Sequence, residues 1–215
     1  MCPGRRRTAR RQGERPASPF DPVASYSATV LAMDLPLVWI DLEMTGLDPE
    51  VDAILEIAVI ITDGWLDEIV EGPDLVIRAD RAALESMAPV VREMHGVSGL
   101  TKAVGLSQLT AAEAERLVLE FVTAHVPEPG HAPLAGNSVH ADRAFLRRHM
   151  PELEAWFHYR NVDVSTVKEL ARRWYPEVLE NAPVKAGGHR ALADIRESIE
   201  ELRYLRESVF RPAGE

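Results

Sequence analysis

From residue 36 onward, short apolar runs alternate with longer stretches in which apolar residues recur every three or four positions. "LVWIDL" (37–42) predicts a strand, and Gly46 marks the turn after it. "AILEIAVIIT" (53–62) is almost continuously apolar, as a strand covered on both faces must be, and Asp63-Gly64 supplies the turn behind it. "DLVIRA" (74–79) predicts a third strand. The short links between these three predict an antiparallel meander. A short helix is expected over 88–95, followed by a longer one over 110–126, where Thr110 and Glu113 have capping-box spacing. "APLAGNS" (132–138) then reads as strand and loop, 139–150 as a helix, "YRNVDV" (159–164) as a strand, and 165–175 as a helix. The last helix, 190–209, carries Leu192, Ile195, Ile199, Leu202 and Val209 at helical spacing. No internal repeat is present. Three antiparallel strands followed by alternating helices and strands predict an α/β domain, a mixed five-stranded sheet flanked by helices on both faces.

The first 33 residues break this pattern. They are Arg-rich and interspersed with Pro, Gly and Ser, so 1–33 is expected to be a disordered basic extension and 34–215 the folded domain. Two other origins stay open: a mitochondrial transit peptide, whose helix Pro16, Pro19 and Pro22 would interrupt, or a mis-called start upstream of Met33. Six arginines against Glu14 and Asp21 give this segment a charge of +4. The whole chain carries −10, so the remainder carries −14. Such a body repels long nucleic acid, and any nucleic-acid chemistry must work through metal ions and a small pocket. With 215 residues, 46% of them hydrophobic, a sizeable core is expected. No apolar run approaches the roughly 20 residues of a membrane-spanning helix. Cys2 is the only cysteine, which excludes an internal disulfide or a Cys-based zinc site and fits a reducing compartment such as the cytoplasm.

Asp41 and Glu43 sit two residues apart at the end of the first strand, so both point to one face. Like charges aimed at one spot repel, and burying them is costly. A cation is needed there. Asp142 shares the apolar helix face of Val139, Phe145 and Leu146, and reads either as a further ligand or as half of a buried salt bridge with a neighbouring arginine. After Gly187 and Gly188 come His189 and, five residues on, Asp194. Five helical steps would place these two about 140° apart, so His189 is expected on the loop and Asp194 in the first turns of the helix. Carboxylates without cysteine suit hard divalent cations, Mg²⁺ or Mn²⁺. Two such ions about 4 Å apart can hold a phosphodiester, and a histidine can take the proton of the attacking water.

"WIDLEMTGLD", "GNSVHADRAFL", "YRNVDVSTVKEL" and "GGHRALADIRESIEEL" together resemble the oligoribonuclease family, within the 3′-to-5′ exonucleases named for four acidic residues and a histidine. The resemblance spans about residues 35–210. It implies a ribonuclease-H-like exonuclease fold, Asp41, Glu43, Asp142 and Asp194 as holders of two divalent ions, and His189 as general base. It further implies a substrate of very short single-stranded RNA, 5′-phosphorylated dinucleotides above all, with Leu47 wedged against the bases and Ser138, Arg160 and Ser165 gripping the 5′ phosphate. His95 would lie on the substrate side. Tyr159 would reach the partner's site in a homodimer, and neither a membrane nor a stable long nucleic-acid partner is expected. One departure is Val90, where many relatives carry tryptophan. Glu56, alone amid "ILEIAVI", has no role in the resemblance and is expected to be hydrogen-bonded inside the fold. Two rival readings are a polymerase-associated proofreading exonuclease, which shares the five catalytic residues, and a non-catalytic RNA-binding protein. The presence of all five residues argues against the second.

Overall fold

A computed structural model describes residues 33–183 and 188–210. The expectations for segment 1–32 and for Gly187 lie outside the described residues. The strands are β1 (Leu37–Met44), β2 (Ile54–Thr62), β3 (Ile69–Val76), β4 (Pro133–Gly136) and β5 (His158–Asp163). The larger helices are α2 (Pro89–Val97), α4 (Ala111–His125), α5 (His140–His149), α7 (Val164–Trp174) and α9 (Ala191–Val209). Shorter ones are α1 (Arg81–Ser86), α3 (Leu100–Leu106), α6 (Pro151–Glu154) and α8 (Pro176–Glu180).

The sheet order is β3-β2-β1-β4-β5. β1, β2 and β3 pair antiparallel, whereas β4 runs parallel to both β1 and β5. This is the predicted mixed five-stranded sheet, and its two faces are covered by different helices. Val38, Ile40 and Leu42 of β1 pack on one face with Val118, Phe121 and Val122 of α4 and Phe145 and Leu146 of α5. Trp39, one residue out of phase, packs on the other face with Val164 and Ala171 of α7 and Ile195, Ile199 and Leu205 of α9. All nine residues of β2 are buried, as its continuous apolar run required. The strand period therefore assigns Asp41 and Glu43, in phase with Trp39, to the α7/α9 side. β1, β4 and β5 are parallel, so their carboxyl ends lie along one edge, where open α/β sheets bind ligands.

The capping box at Thr110 and Glu113 forms as expected: Thr110 Oγ1 accepts from the Glu113 N–H, and Glu113 Oε2 accepts from the Thr110 N–H at 2.9 Å. The third strand needs a correction. Expected over 74–79, β3 instead begins at Ile69 and ends at Val76. Gly72 and Pro73, residue types depleted in strand interiors, lie within it. β3 is an edge strand, however, and an edge tolerates a proline that cannot donate to the ladder. The register skips opposite Val59, which absorbs the irregularity. Beyond Val76 only the Ile77 N–H still reaches β2, at the Leu55 carbonyl. Asp80 then caps α1 by accepting from the Ala83 N–H at 2.8 Å. Among the described residues no helix is long and apolar enough to cross a membrane.

One polar pair lies inside this core. Trp39 Nε1 donates to Thr62 Oγ1 at 3.0 Å, with both residues fully enclosed. Thr62→Val keeps the shape but strands the indole N–H, so unfolding stability should fall by about 1–3 kcal/mol. Urea denaturation followed by tryptophan fluorescence measures the change.

Candidate active site

β1 delivers Asp41 and Glu43 to the carboxyl edge of the sheet, and the first turns of α9 deliver Asp194. One carboxylate oxygen from each lies within 4.8 Å of the other two. Asp142, in the first turn of α5, stands outside that tight group but borders it. Its Oδ1 accepts the Leu42 N–H at 3.1 Å, on the strand between the first two carboxylates. Among the described residues Asp142 forms no salt bridge with an arginine: the adjacent Arg143 turns away to Glu154 Oε1 at 2.9 Å.

Burial and mutual repulsion weaken these acids. The Asp41 carboxyl is raised well above its usual range, first by burial and then by the charges of Asp142, Asp194, Glu43 and Glu56. Glu43 is pushed up to about 7 by burial, reinforced by Asp194 and Glu56 and partly opposed by Arg190. Asp142 is also raised to about 7, by burial, against the opposing hydrogen bond from Leu42. An all-oxygen donor set whose members resist ionising next to one another fits a hard divalent cation, which would stabilise every charged form at once.

His189 sits apart from this group. It is exposed, has a left-handed backbone at φ 46°, and lines a cavity of about 380 Å³ with Val90, Glu93, Met94, Val97, Ser98 and Gly188. No ion pair joins it to Asp41, Glu43 or Asp142 among the described residues. Its loop position and the helical position of Asp194 agree with the expectation from their spacing.

His95 was expected on the substrate side, but here its side chain is wholly buried behind Glu43. The Met44 carbonyl oxygen lies 2.9 Å from its Nε2, which makes that nitrogen the donor. Nδ1 is left without a hydrogen bond, 3.8 Å from Glu43 Oε2. In this conformation the ring meets Glu43 from inside and has no surface to offer a ligand.

Of the remaining expected residues, Leu47, Ser138 and Ser165 lie at the carboxyl ends of β1, β4 and β5, whereas Tyr159 and Arg160 lie near the start of β5. Leu47 is 82% exposed. Its loop is tied from beneath: Asp52 accepts from Thr45 Oγ1 at 2.8 Å and from the Asp48 N–H at 3.0 Å. A Cβ at Gly46 would come within 2.4 Å of Asp52 Oδ2, so a larger residue there would push the Asp52 carboxylate off its hydrogen bonds. Ser138, at φ 52°, donates its hydroxyl to Ser165 Oγ at 3.1 Å, and Ser165 Oγ donates to Asn137 Oδ1 at 2.9 Å. Asp163 Oδ1 accepts both serine N–H groups, at 3.1 and 2.9 Å, so the ends of β4 and β5 are laced together. Tyr159 and Arg160 project from the exposed edge strand β5, with the Arg160 guanidinium 5.4 Å from the tyrosine ring centre. Sequence reasoning missed Asn137 and Asp163. It also missed Arg143, which donates to Asn161 Oδ1 at 2.6 Å and to the Tyr159 carbonyl at 3.2 Å and so fixes the start of β5. An arginine directly after a core-facing aspartate was the available signal.

The raised acids give a pH signature with a definite sign. Glu43 rises from 4.5 and Asp142 from 3.8, each to about 7. The folded state thus binds protons more tightly than the unfolded chain. Without metal, stability should fall as pH rises from roughly 4 to 7 and then level, by up to about 3–4 kcal/mol for each acid. Millimolar Mg²⁺ should flatten the slope and EDTA restore it, as read from urea midpoints across that range.

The sequence model of the exonuclease family (RNase_T) matches residues 38–202. Oligoribonuclease of Streptomyces griseus is 58% identical over 176 residues, covering 82% of this chain and 87% of the relative. The mitochondrial oligoribonuclease of Mus musculus is 55% identical over 175 residues, 81% of this chain and 73% of that one. Among solved structures, exonuclease I from Methylocaldum szegediense superposes with a TM-score of 0.60 at 24% identity, over 81% of this chain. The E. coli exonuclease I complex with a dA16 oligonucleotide gives 0.61 at 18%. The chain spans only 41% of either exonuclease I chain, and at these identities the likeness establishes the fold. With the exonuclease model matched over most of its length and oligoribonucleases more than half identical to it, this chain belongs to the oligoribonuclease family of 3′-to-5′ exoribonucleases, hydrolases of RNase-H-like fold.

Proposed function

We propose that the protein removes nucleotides from the 3′ end of very short RNA, dinucleotides and slightly longer, releasing nucleoside 5′-monophosphates. The observation that carries this reading is the meeting of Asp41, Glu43 and Asp194 within 4.8 Å at the carboxyl edge of the sheet. These three, with Asp142 beside them, would hold two divalent ions. Mg²⁺ or Mn²⁺ bound there would supply Lewis acidity toward a phosphodiester and lower the pKa of coordinated water.

The protein's own groups do the rest. His189, on its exposed loop, accepts the proton of the attacking water, a task suited to imidazole because it titrates near neutral pH. Water oxygen bonds to phosphorus as the bond to the 3′ oxygen of the preceding nucleotide breaks. Leu47, held rigidly in solvent, wedges against the bases. Ser138 and Ser165, laced together at the ends of β4 and β5, offer hydroxyls to a 5′ phosphate, and Arg160 adds a charge-assisted contact. Tyr159, 75% exposed on an edge strand, reaches the second site of a homodimer. The 34–215 body carries this activity, and its charge of −14 favours a local grip on something short over a long electrostatic track. The reducing cytoplasm suits the cysteine-poor chain.

A 5′-phosphorylated dinucleotide and a single-stranded RNA twenty-mer, each assayed with Mg²⁺ and with EDTA, test the substrate reading. The dinucleotide should be cleaved faster, EDTA should abolish both reactions, and light scattering should show a dimer. Equal rates on the two RNAs would favour a proofreading-type enzyme instead. His189→Ala should lower turnover by roughly 10²–10⁴-fold and flatten the acid limb of the pH–rate profile, with Mn²⁺ affinity unchanged by calorimetry. Wild-type turnover in that variant would make His189 a structural residue.

A further inference from the structure

Glu56 lies in β2, fully enclosed and directly opposite Glu43 in the β1–β2 register. A carboxylate buried there alone would be very costly. Its partner comes from 134 positions further along the chain. Arg190 Nε donates to both Glu56 oxygens, at 2.8 and 3.1 Å, and Arg190 Nη2 donates to Oε1 at 2.5 Å. Glu56 Oε2 also accepts the Ala191 N–H at 3.1 Å. Ala191 is the first residue of α9, and Arg190, in the capping position, contributes no cap of its own. Helices begin with N–H groups that lack partners. Here a strand distant in sequence, on which the helix packs, provides one.

The residue before Arg190 adds a second observation. His189 has a left-handed backbone, φ 46°, which a residue with a Cβ keeps only when its surroundings over-determine it. A forked arginine–carboxylate pair on the next residue, with a backbone bond on the one after, is such a surrounding. Five positions after His189, the same helix start presents Asp194 to Asp41 and Glu43.

We propose that Glu56 and Arg190 form a positioning pair: their clamp fixes the start of α9 to β2, and thereby sets the loop position of His189 and holds Asp194 against the carboxylates of β1. Neither touches the substrate. The clamp also aims one guanidinium into a row of carboxylates, because Arg190 feels Glu56, Asp74 and Glu43 together. The inference rests on the reading of His189 as the base.

Two variants of the full chain test it. Glu56→Gln/Arg190→Ala removes both charges, so no carboxylate is stranded in the core. Arg190→Lys keeps the charge and loses the planar fork. In each, kcat and KM are measured on a 5′-phosphorylated dinucleotide with Mg²⁺, the fold is checked by circular dichroism, and the His189 imidazole proton resonance, assigned with His189→Gln, is recorded without metal. Both variants should fold, with the His189 resonance displaced or broadened. Turnover should fall by about 10- to 100-fold, as expected when a reacting group is slightly misplaced. KM should change by less than about threefold, since the loss is in the transition state. An unmoved His189 resonance, or an Arg190→Lys enzyme with wild-type kcat, would overturn the proposal. Should the double variant fail to fold, Arg190→Lys decides by the same readings. The resonance needs neither metal nor substrate, so it separates failure of the clamp from failure of the exonuclease reading, which the wild-type assay decides.

Discussion

Carboxylates that repel one another can be held together only by a scaffold stiff enough to resist their separation. Two unit charges about 5 Å apart cost on the order of 3 kcal/mol at the effective dielectric of a protein surface. Asp41 and Glu43 cannot relieve this by turning to solvent, because β1 is the central strand and the strand period directs both to one face. Asp194 arrives from α9 to within 4.8 Å, and the raised pKa values of Asp41 and Glu43 record the strain electrostatically. The rest of the structure answers that load. β2 is buried along its whole length beside β1, and α4 and α5 close one face of the sheet while α7 and α9 close the other. A cation arriving at the edge converts the repulsion into binding energy that the fold has already stored.

Positive charge near this edge is distributed with care. Arg190 pairs with Glu56 and Arg143 with Glu154, so neither forms an ion pair with Asp41 or Glu43. Each arginine nevertheless orders part of the site: Arg143 through the start of β5, Arg190 through the start of α9. A guanidinium seated directly on the acids would compete with a divalent ion for the same oxygens. Placed one residue after Asp142 and four residues before Asp194, the two arginines secure geometry and leave the oxygens of Asp41 and Glu43 to a smaller, harder cation.

The sequence revealed those parts of the fold that follow from local rules. The alternation of β1, the unbroken apolar run of β2, the Thr110–Glu113 capping box and the period of α9 are each decided within a few residues, and each appears where expected. The separation of His189 from Asp194 into loop and helix was legible for the same reason, from angular arithmetic over five positions. What stayed hidden depends on position in the sheet or on distant partners. Pro73 speaks against a strand unless the strand is known to be an edge, which only the topology tells. Glu56 was recognisable as a carboxylate in need of a partner, yet the partner lay 134 positions away. His95 matched a family position but is buried, because α2 packs its ring beneath Glu43 and nothing in "EMHGV" specifies that depth.

The likeness to exonuclease I, with TM-scores near 0.6 at no more than 24% identity, means that the sheet and its acidic edge do not by themselves select a substrate. Selection must come from what surrounds the edge. Here the loop carrying Leu47 is fastened at several points: inside by Thr45 and Asp52, and outside by His149 Nε2 at 3.0 Å from the Pro49 carbonyl and by Arg148 with Glu50. An isolated exposed leucine is ordinary, and a mobile one would collapse onto any apolar neighbour. One held in place at the protein surface would lose little entropy if a base covered it as proposed, so contact there would come at low conformational cost. Residues 34–215 bear an overall charge of −14, which disfavours extended phosphate backbones. On the proposed reading, a rigid apolar tip inside a repelling field would reward a ligand small enough to be gripped entirely at the edge.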